Sequence, residues 1–223
     1  MNHETLKSQV EFPLLLRGVG VRLDNTGKRF NREWIFRRCS YEFLPGKTYA
    51  ITGPNGSGKS TLLQVIAGSV QQNEGTIEYK DGQSPIRNEQ HYTSVSIAAP
   101  YLELIEEMTA AEILEFHSKF KPLLIPIADI LKTVGLGDAA NKQIRYFSSG
   151  MKQRLKLAQA FFSNTPVLLL DEPTTNLDEA GITLYHSLIS NHTKGRLVIV
   201  SSNVKQEYDF CEEVIEIGKY KSS

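Results

Sequence analysis

Residues 47–68, KTYAITGPNGSGKSTLLQVIAG, decide how the rest of the chain is read. KTYAIT is a short apolar run suited to a buried strand, and it leads straight into Gly53-Pro54-Asn55-Gly56-Ser57-Gly58-Lys59-Ser60-Thr61. That stretch satisfies the pattern GxxxxGK followed by Ser or Thr. The apolar TLLQVIAG after it predicts a helix that stops at Gly68. Strand, glycine-rich loop and helix, in that order, are the context in which this pattern binds phosphate. The glycines let successive N–H groups converge on phosphate oxygens at the positive end of the helix. Lys59 is placed to reach the β- and γ-phosphates, and Ser60 to ligate Mg²⁺. A plain glycine turn entering a helix is the structural alternative. The motif implies a nucleoside triphosphate and magnesium, and does not choose among phosphate-loop families.

A second signal lies at Val167-Leu168-Leu169-Leu170, a strand-like run ending in Asp171-Glu172. α/β sheets put ligand groups at such strand ends. Side chains alternate along a strand, so the two carboxylates diverge and take different duties. Asp171 suits a magnesium ligand acting through the metal's water shell, and Glu172 suits orienting or deprotonating an attacking water. Alone, the pair also fits a solvated acidic turn before Pro173. Beside the phosphate loop, the chemical reading prevails.

Outward from these two sites, strand-like and helix-like segments alternate, which predicts an α/β fold with a mainly parallel sheet core. Residues 14–50 differ: LLLRGVGVRL, a turn at Asp24-Asn25-Thr26-Gly27, a stretch around SYEF and a turn at Leu44-Pro45-Gly46 predict an N-terminal antiparallel β subdomain. GTIEYKDG adds a strand ending at Asp81-Gly82. Thr109 and Glu112 form the two ends of a capping box, and Pro122 and Pro126 split the region to Leu136 into two helices. PVLLLDE followed by a helix from about Asp178, then RLVIVSS and the closing EEVIEIG, complete the pattern.

Across 223 residues, 25 Lys and Arg balance 25 Asp and Glu, so the formal net charge is zero and no basic footprint for nucleic acid exists. With 40% hydrophobic and 22% charged residues, the composition excludes a disordered or collagenous chain. Cys39 and Cys211 are the only cysteines, far apart and outside any CxxC or Cys/His cluster, which fits a reducing compartment rather than a disulfide or zinc framework. The opening MNHETLKSQVEF has no apolar core of a signal peptide, and the longest aliphatic runs are far too short to span a bilayer. The expectation is a cytoplasmic chain, or one held at the inner face of a membrane by a partner.

Between the two sites lies Phe147-Ser148-Ser149-Gly150-Met151-Lys152-Gln153-Arg154. This resembles the LSGGQ signature of the ATP-binding-cassette (ABC) family, and phosphate loop, helical lobe, signature and Asp-Glu strand follow in the family's order. Thr175-Asn176-Leu177-Asp178 looks like the family's D-loop. The resemblance spans about Leu14 to Ile217. It implies a P-loop NTPase cassette, a single domain over 1–223 with the helical lobe at about 101–163. It also implies ATP with Mg²⁺, sandwiched in a head-to-tail homodimer in which Ser148, Ser149, Gly150 and Met151 of one copy face the γ-phosphate bound by the other. Ser148 to Gly150 at a helix N-terminus can point a hydroxyl and N–H groups at an anion. Read as structure only, the segment caps a helix whose inner face is Met151, Leu155, Ala158 and Phe162. Phe30 falls where the family stacks an aromatic on adenine; by spacing it is equally a core residue, with Trp34 the nearby competitor.

Two departures bear on catalysis. The family's Gln before the helical lobe is replaced at Pro100 or Ala99, counting back from Met108-Thr109, and the His usual after the last core strand is replaced by Ser202. None of His3, His91, His117, His186 and His192 falls there. A serine hydroxyl can hydrogen-bond a phosphate but cannot be a protonated partner. Losing one such contact costs about 3 kcal/mol, roughly a hundredfold in rate. The compact chain and the stretches MTAAEIL and LDEAGITLYHSLI are similar to ATP-binding subunits of haem-exporter, cytochrome c maturation type transporters. Three readings stand: the energising subunit of a separate transmembrane permease, a soluble cassette ATPase of an assembly or repair machine, and a poorly hydrolysing ATP-gated regulatory module.

Overall fold

The computed structural model describes residues 18–82, 84–86 and 91–221. In chain order the elements are β1 (Val19–Phe30), β2 (Glu33–Phe43), β3 (Thr48–Thr52), α1 (Lys59–Ile66), β4 (Glu74–Asp81), β5 (Ser84–Pro85), α2 (His91–Ser94), β6 (Val95–Ala98), α3 (Ala110–Ser118), α4 (Ile127–Thr133), α5 (Ser149–Phe162), β7 (Val167–Asp171), α6 (Glu179–His192), β8 (Leu197–Ser201) and β9 (Glu213–Glu216). β6, β7, β8, β3 and β9 form one sheet in that order, and every adjacent pair is parallel. β2, β1, β4 and β5 form a second, antiparallel sheet.

The continuous apolar runs in β7 and β8 follow from burial on both faces of a parallel sheet. Val167 and Leu169 point into a cluster with α1 and the antiparallel sheet, whereas Leu168 and Leu170 point into one with α3 to α6. The two-residue period thus divides the core into two halves, each burying side chains worth roughly 1.5–3 kcal/mol apiece in transfer free energy. Because all five strands run the same way, Thr52, Ala98, Asp171 and Ser201 all leave the sheet at one edge.

The expected turn at Asp24 to Gly27 is absent. β1 runs through it, with register shifts between Leu23 and Thr26 and between Thr26 and Lys28. Asn25 takes a φ of 47°, and the fully buried Thr26 hydroxyl donates to the Thr76 carbonyl at 2.9 Å. These are bulges, which reuse the residues of a turn to bend a long strand. The real hairpin turn is Asn31-Arg32, with Phe30 paired to Glu33 and Asn31 at φ 54°, a conformation asparagine accepts more readily than most residues. Leu14 to Leu16, part of the expected opening strand, lie outside the described residues. The Leu44-Pro45-Gly46 turn stands, joining one sheet to the other.

The helical lobe follows its local signals. Thr109 caps α3, its hydroxyl accepting from Glu112 N while Glu112 Oε2 accepts from Thr109 N, and Pro126 precedes α4. His117 on α3 sits 2.7 Å from the Ser163 hydroxyl, whose own proton goes to the Gln159 carbonyl. Ser163 therefore accepts from His117 Nε2–H, the neutral tautomer. Burial first, then the Lys121 charge, pulls the imidazole down to about 4. Unfolded, it titrates near about 6.5, so below that pH the unfolded chain binds the extra proton and stability falls as pH drops toward the folded value. We expect His117→Gln, which can still donate to Ser163, to flatten this acid loss. Equal drops in Tm for parent and variant between neutral pH and that window would contradict it.

Candidate functional site

The phosphate loop leaves β3 and turns over Ser57 N–Pro54 O, 3.1 Å, into α1. Gly53 and Gly58 are there for two reasons. Their φ values of 146° and 101° favour glycine, and an added Cβ would lie 2.8 Å from Ile217 Cγ2 at the first and 2.5 Å from Ile35 Cγ2 at the second. Gly58 caps α1 without a side-chain bond, which leaves the first-turn N–H groups for an anion. Lys59 is almost fully buried and lies across the loop, its Nζ donating to the Gly53 carbonyl at 2.7 Å and the Pro54 carbonyl at 3.3 Å. Asn55, Gly56, Lys59, Ser60, Thr61 and Glu172 line a cleft of about 320 Å³, so the two predicted sites meet.

Asp171 ends β7 at 1% exposure. Burial raises its pKa, while the Ser201 and Ser60 hydroxyls and the Lys59 charge lie close enough to oppose the shift. Nonetheless Asp171 Oδ1 and Ser201 Oγ, both buried, close no hydrogen bond within the chain. A buried oxygen left unpaired beside a hydroxyl and a phosphate loop fits a hard cation that takes oxygen ligands. Among the described residues no group of three or more His, Cys, Asp or Glu could hold a metal. That donor set suits Mg²⁺, which binds through one or two protein groups plus phosphate and water.

Glu172 diverges from Asp171 and is only half-buried, on the wall of the cleft. Its backbone lies in the left-handed region, φ 42°, a strain of about 1 kcal/mol or more for a residue with a Cβ. Two bonds hold it there: its N–H donates to the Ser201 carbonyl at 2.9 Å, and its carbonyl accepts from Thr175 N at 3.1 Å.

The signature residues stand apart from this cleft. Ser148 caps α5, its hydroxyl accepting from Met151 N at 3.2 Å, and both Ser148 and Ser149 are exposed. A Cβ on Gly150 would lie 3.1 Å from the Asn176 carbonyl, and Met151 packs on the core. Asp178 caps α6; the Gly181 N–H first, then the Arg154 guanidinium, lower its pKa. Polar side chains of α5 reach four segments: Lys152 pairs with Glu106, Gln153 donates to the Pro173 carbonyl at 2.8 Å, Arg154 to Asp178 Oδ1 at 2.9 Å, and Lys156 to the Pro100 carbonyl at 2.9 Å.

Phe30 ends β1 at 47% exposure, which removes the core alternative; Lys28 Nζ lies 4.9 Å from its ring centroid. Trp34 is covered by Arg29 and Arg37 at 5.5 and 4.5 Å. Ser202 does not turn to the cleft. It is fully buried, its hydroxyl donating to Glu207 Oε2 and accepting from Val204 N. The next residue touches the phosphate loop instead: Asn203 Oδ1 accepts from Gly53 N and Asn203 Nδ2 donates to Asn55 Oδ1, both at 3.2 Å.

Three residues escaped the sequence reading: Asn203, Glu207 and Tyr101. After β6, the Ala99 and Pro100 carbonyls accept from Lys156 Nζ, and the Tyr101 hydroxyl lies within electrostatic reach of Asp171. Burial and then the Asp171 charge push that phenol up to about 12. Tyr101, 41% exposed, thus feels the metal-fitting carboxylate electrostatically from the strand end where a Gln was expected.

A family model described as ABC transporter matches residues 36–175. The chain is 32% identical over 202 residues to the uncharacterized ABC transporter ATP-binding protein YybJ of Bacillus subtilis, covering 89% of this chain and 92% of that one. It is 33% identical over 187 residues to the cytochrome c biogenesis ATP-binding export protein CcmA of Rhizobium etli, covering 81% and 86%. Its fold matches the dimeric post-hydrolysis ATP-binding cassette MJ0796 bound to ADP and Pi with a TM-score of 0.78 at 23% identity, over 89% of this chain and 95% of that one. A phosphate loop, an unpaired buried Asp171 and a capped signature helix on this sheet agree with those matches, and the chain belongs to the ABC transporter family of ATP-binding cassettes.

Proposed function

We propose that this chain is a Mg-dependent ATPase subunit, a single domain over residues 1–223, that energises a separate membrane permease through ATP-driven closure of a homodimer. One observation carries the reading: unpaired Asp171 Oδ1, Ser60, Lys59 and Glu172 converge at a single sheet edge. Ser60 and Asp171 would hold Mg²⁺, which would supply charge neutralisation to the triphosphate. The phosphate-loop N–H groups and Lys59 bind and orient the triphosphate. Glu172 aligns the attacking water and takes its proton, and exposed Phe30 offers a face to adenine. The exposed Ser148 and Ser149, with half-buried Gly150, are left to close on a second copy's nucleotide. Among the described residues no helix is long and apolar enough to cross a membrane.

Ser202 bound to Glu207, together with Tyr101 near Asp171, favours as a second reading a module that closes on ATP and hydrolyses it slowly. Steady-state Mg-ATP turnover of the purified chain across protein concentration tests both. Turnover per chain that rises with concentration supports the dimeric ATPase. ATP binding without turnover favours the second reading, and absence of ATP binding overturns both.

A further inference from the structure

Glu207 is a buried carboxylate with no role in the mechanism above. It sits at 2% exposure in the 3₁₀ turn Lys205–Glu207, after β8. Among the described residues no Lys, Arg or His pairs with it in an ion pair. What surrounds it is a set of donors. Oε1 accepts from Thr174 N at 2.8 Å and from the Thr174 hydroxyl, and Oε2 accepts from the Ser202 hydroxyl. The residue itself is held at both ends of its backbone, its N–H on the Val204 carbonyl at 2.9 Å and its carbonyl on the Tyr185 hydroxyl of α6 at 2.6 Å.

The partners are informative by position. Thr174 stands two residues after Glu172, on the same turn, and Ser202 follows Ser201, whose carbonyl holds the Glu172 N–H. Glu207 therefore closes a ring around Glu172: β8 grips its amide, Thr175 N grips its carbonyl, and one carboxylate ties Thr174 to Ser202, the residue that follows β8. A non-glycine residue at φ 42° relaxes unless its surroundings over-determine it. Hydrogen bonds to a carboxylate inside the protein are among the stronger ones available for that task.

We infer that Glu207 is a positioning residue for Glu172: by accepting from Thr174 and Ser202 it locks the turn that aims the Glu172 carboxylate at the attacking water. This rests on the reading of Glu172 as the group that handles that water. Glu207 touches no reacting atom and acts only through the turn. It also explains why Ser202 faces inward, since its hydroxyl is part of the lock.

The test compares Glu207→Ala and Glu207→Gln in the full chain. Glutamine keeps an oxygen for Thr174 N–H, and its amide can donate to a hydroxyl that turns to accept, so it retains the lock. Misplacement of about an ångström costs up to ~100-fold in rate, so Glu207→Ala is expected to lower kcat about ten- to a hundredfold with KM for Mg-ATP little changed. Glu207→Gln is expected to recover most of that loss. Hydrogen exchange of the segment 171–177 is read alongside: faster in Glu207→Ala, near parental in Glu207→Gln. An unchanged kcat in folded Glu207→Ala, a kcat that falls only in step with the folded fraction, or unchanged exchange in that segment overturns the inference. A parent without turnover defeats the ATPase reading by itself, and the exchange comparison still decides whether Glu207 holds the turn.

Discussion

Glu172→Gln is expected to cut steady-state ATP turnover by about 10²- to 10⁴-fold, the range of a positioned general base, while ATP affinity changes little. The substitution is close to isosteric, and glutamine tolerates φ 42° no worse than glutamate, so the turn locked by Ser201, Thr174 and Thr175 survives. What disappears is an oxygen able to take a proton. Lys59, Ser60 and Asp171, which bind the triphosphate, are untouched. ATP should then persist at the site, and under the dimer reading the closed dimer should accumulate. Phosphate release, equilibrium ATP binding and size-exclusion chromatography with Mg-ATP read these three outcomes. A variant that hydrolyses ATP as fast as the parent removes Glu172 from its role.

The largest expected loss of stability comes from Arg196→Met. Arg196 is 3% exposed, and its guanidinium donates to Phe161 O at 2.8 Å, Ala160 O at 3.3 Å and His192 O at 3.5 Å. Those carbonyls belong to the last turns of α5 and α6, which leave acceptors without intrahelical partners. The same group donates to Ser96 Oγ at 2.8 Å and Thr165 Oγ1 at 2.9 Å. One cation thus caps two helices and meets both dipoles with the favourable sign. Burial opposes it, pulling the guanidinium down to about 9. A buried charge replaced by a fitting apolar group is sometimes neutral, but here the Phe161 and His192 carbonyls stay behind without the Arg196 donor, while the Ala160 carbonyl keeps the Ser96 hydroxyl at 2.8 Å. Two unpaired carbonyls at about 1–3 kcal/mol each, set against the relief of burying a charge, give a net loss of about 3 kcal/mol. For a chain of this length that is a Tm drop of ~6–12 °C, measured by calorimetry. An unchanged Tm would show that the acceptors find other partners.

The parts of this molecule that are legible in sequence are those encoded within a few residues. The phosphate loop, the Thr109–Glu112 box, the apolar run into Asp171 and the capping serine at 148 each carry their signal inside one or two turns. The hairpin misplacement at Asp24 to Gly27 has the same origin seen from the other side. Bulge and turn need the same residues locally, and β1 continues there because Gly75 of β4 lies so close that a Cβ on it would be 2.3 Å from the Asp24 and Asn25 carbonyls. Glu207 was invisible for a different reason. Nothing in Lys205-Gln206-Glu207 announces burial, and its partner Thr174 is 33 residues away. Tyr101 comes within electrostatic reach of Asp171 because β6 and β7 are neighbours in the sheet, and Asn203 reaches Gly53 across 150 residues.

Helix α5 gathers these distant segments on one rod. Through Lys152, Gln153, Arg154 and Lys156 it is tied to the lobe at Glu106, the turn after Glu172, the cap of α6 and the strand end before Tyr101. A rod fastened at four points acts as a spindle: its signature end cannot shift without straining the turn that carries the water-handling carboxylate. By thermodynamic reciprocity, any protein that seats on the helical lobe and displaces this spindle changes the affinity for nucleotide by a factor that nucleotide must return, unaltered, to the affinity for that protein.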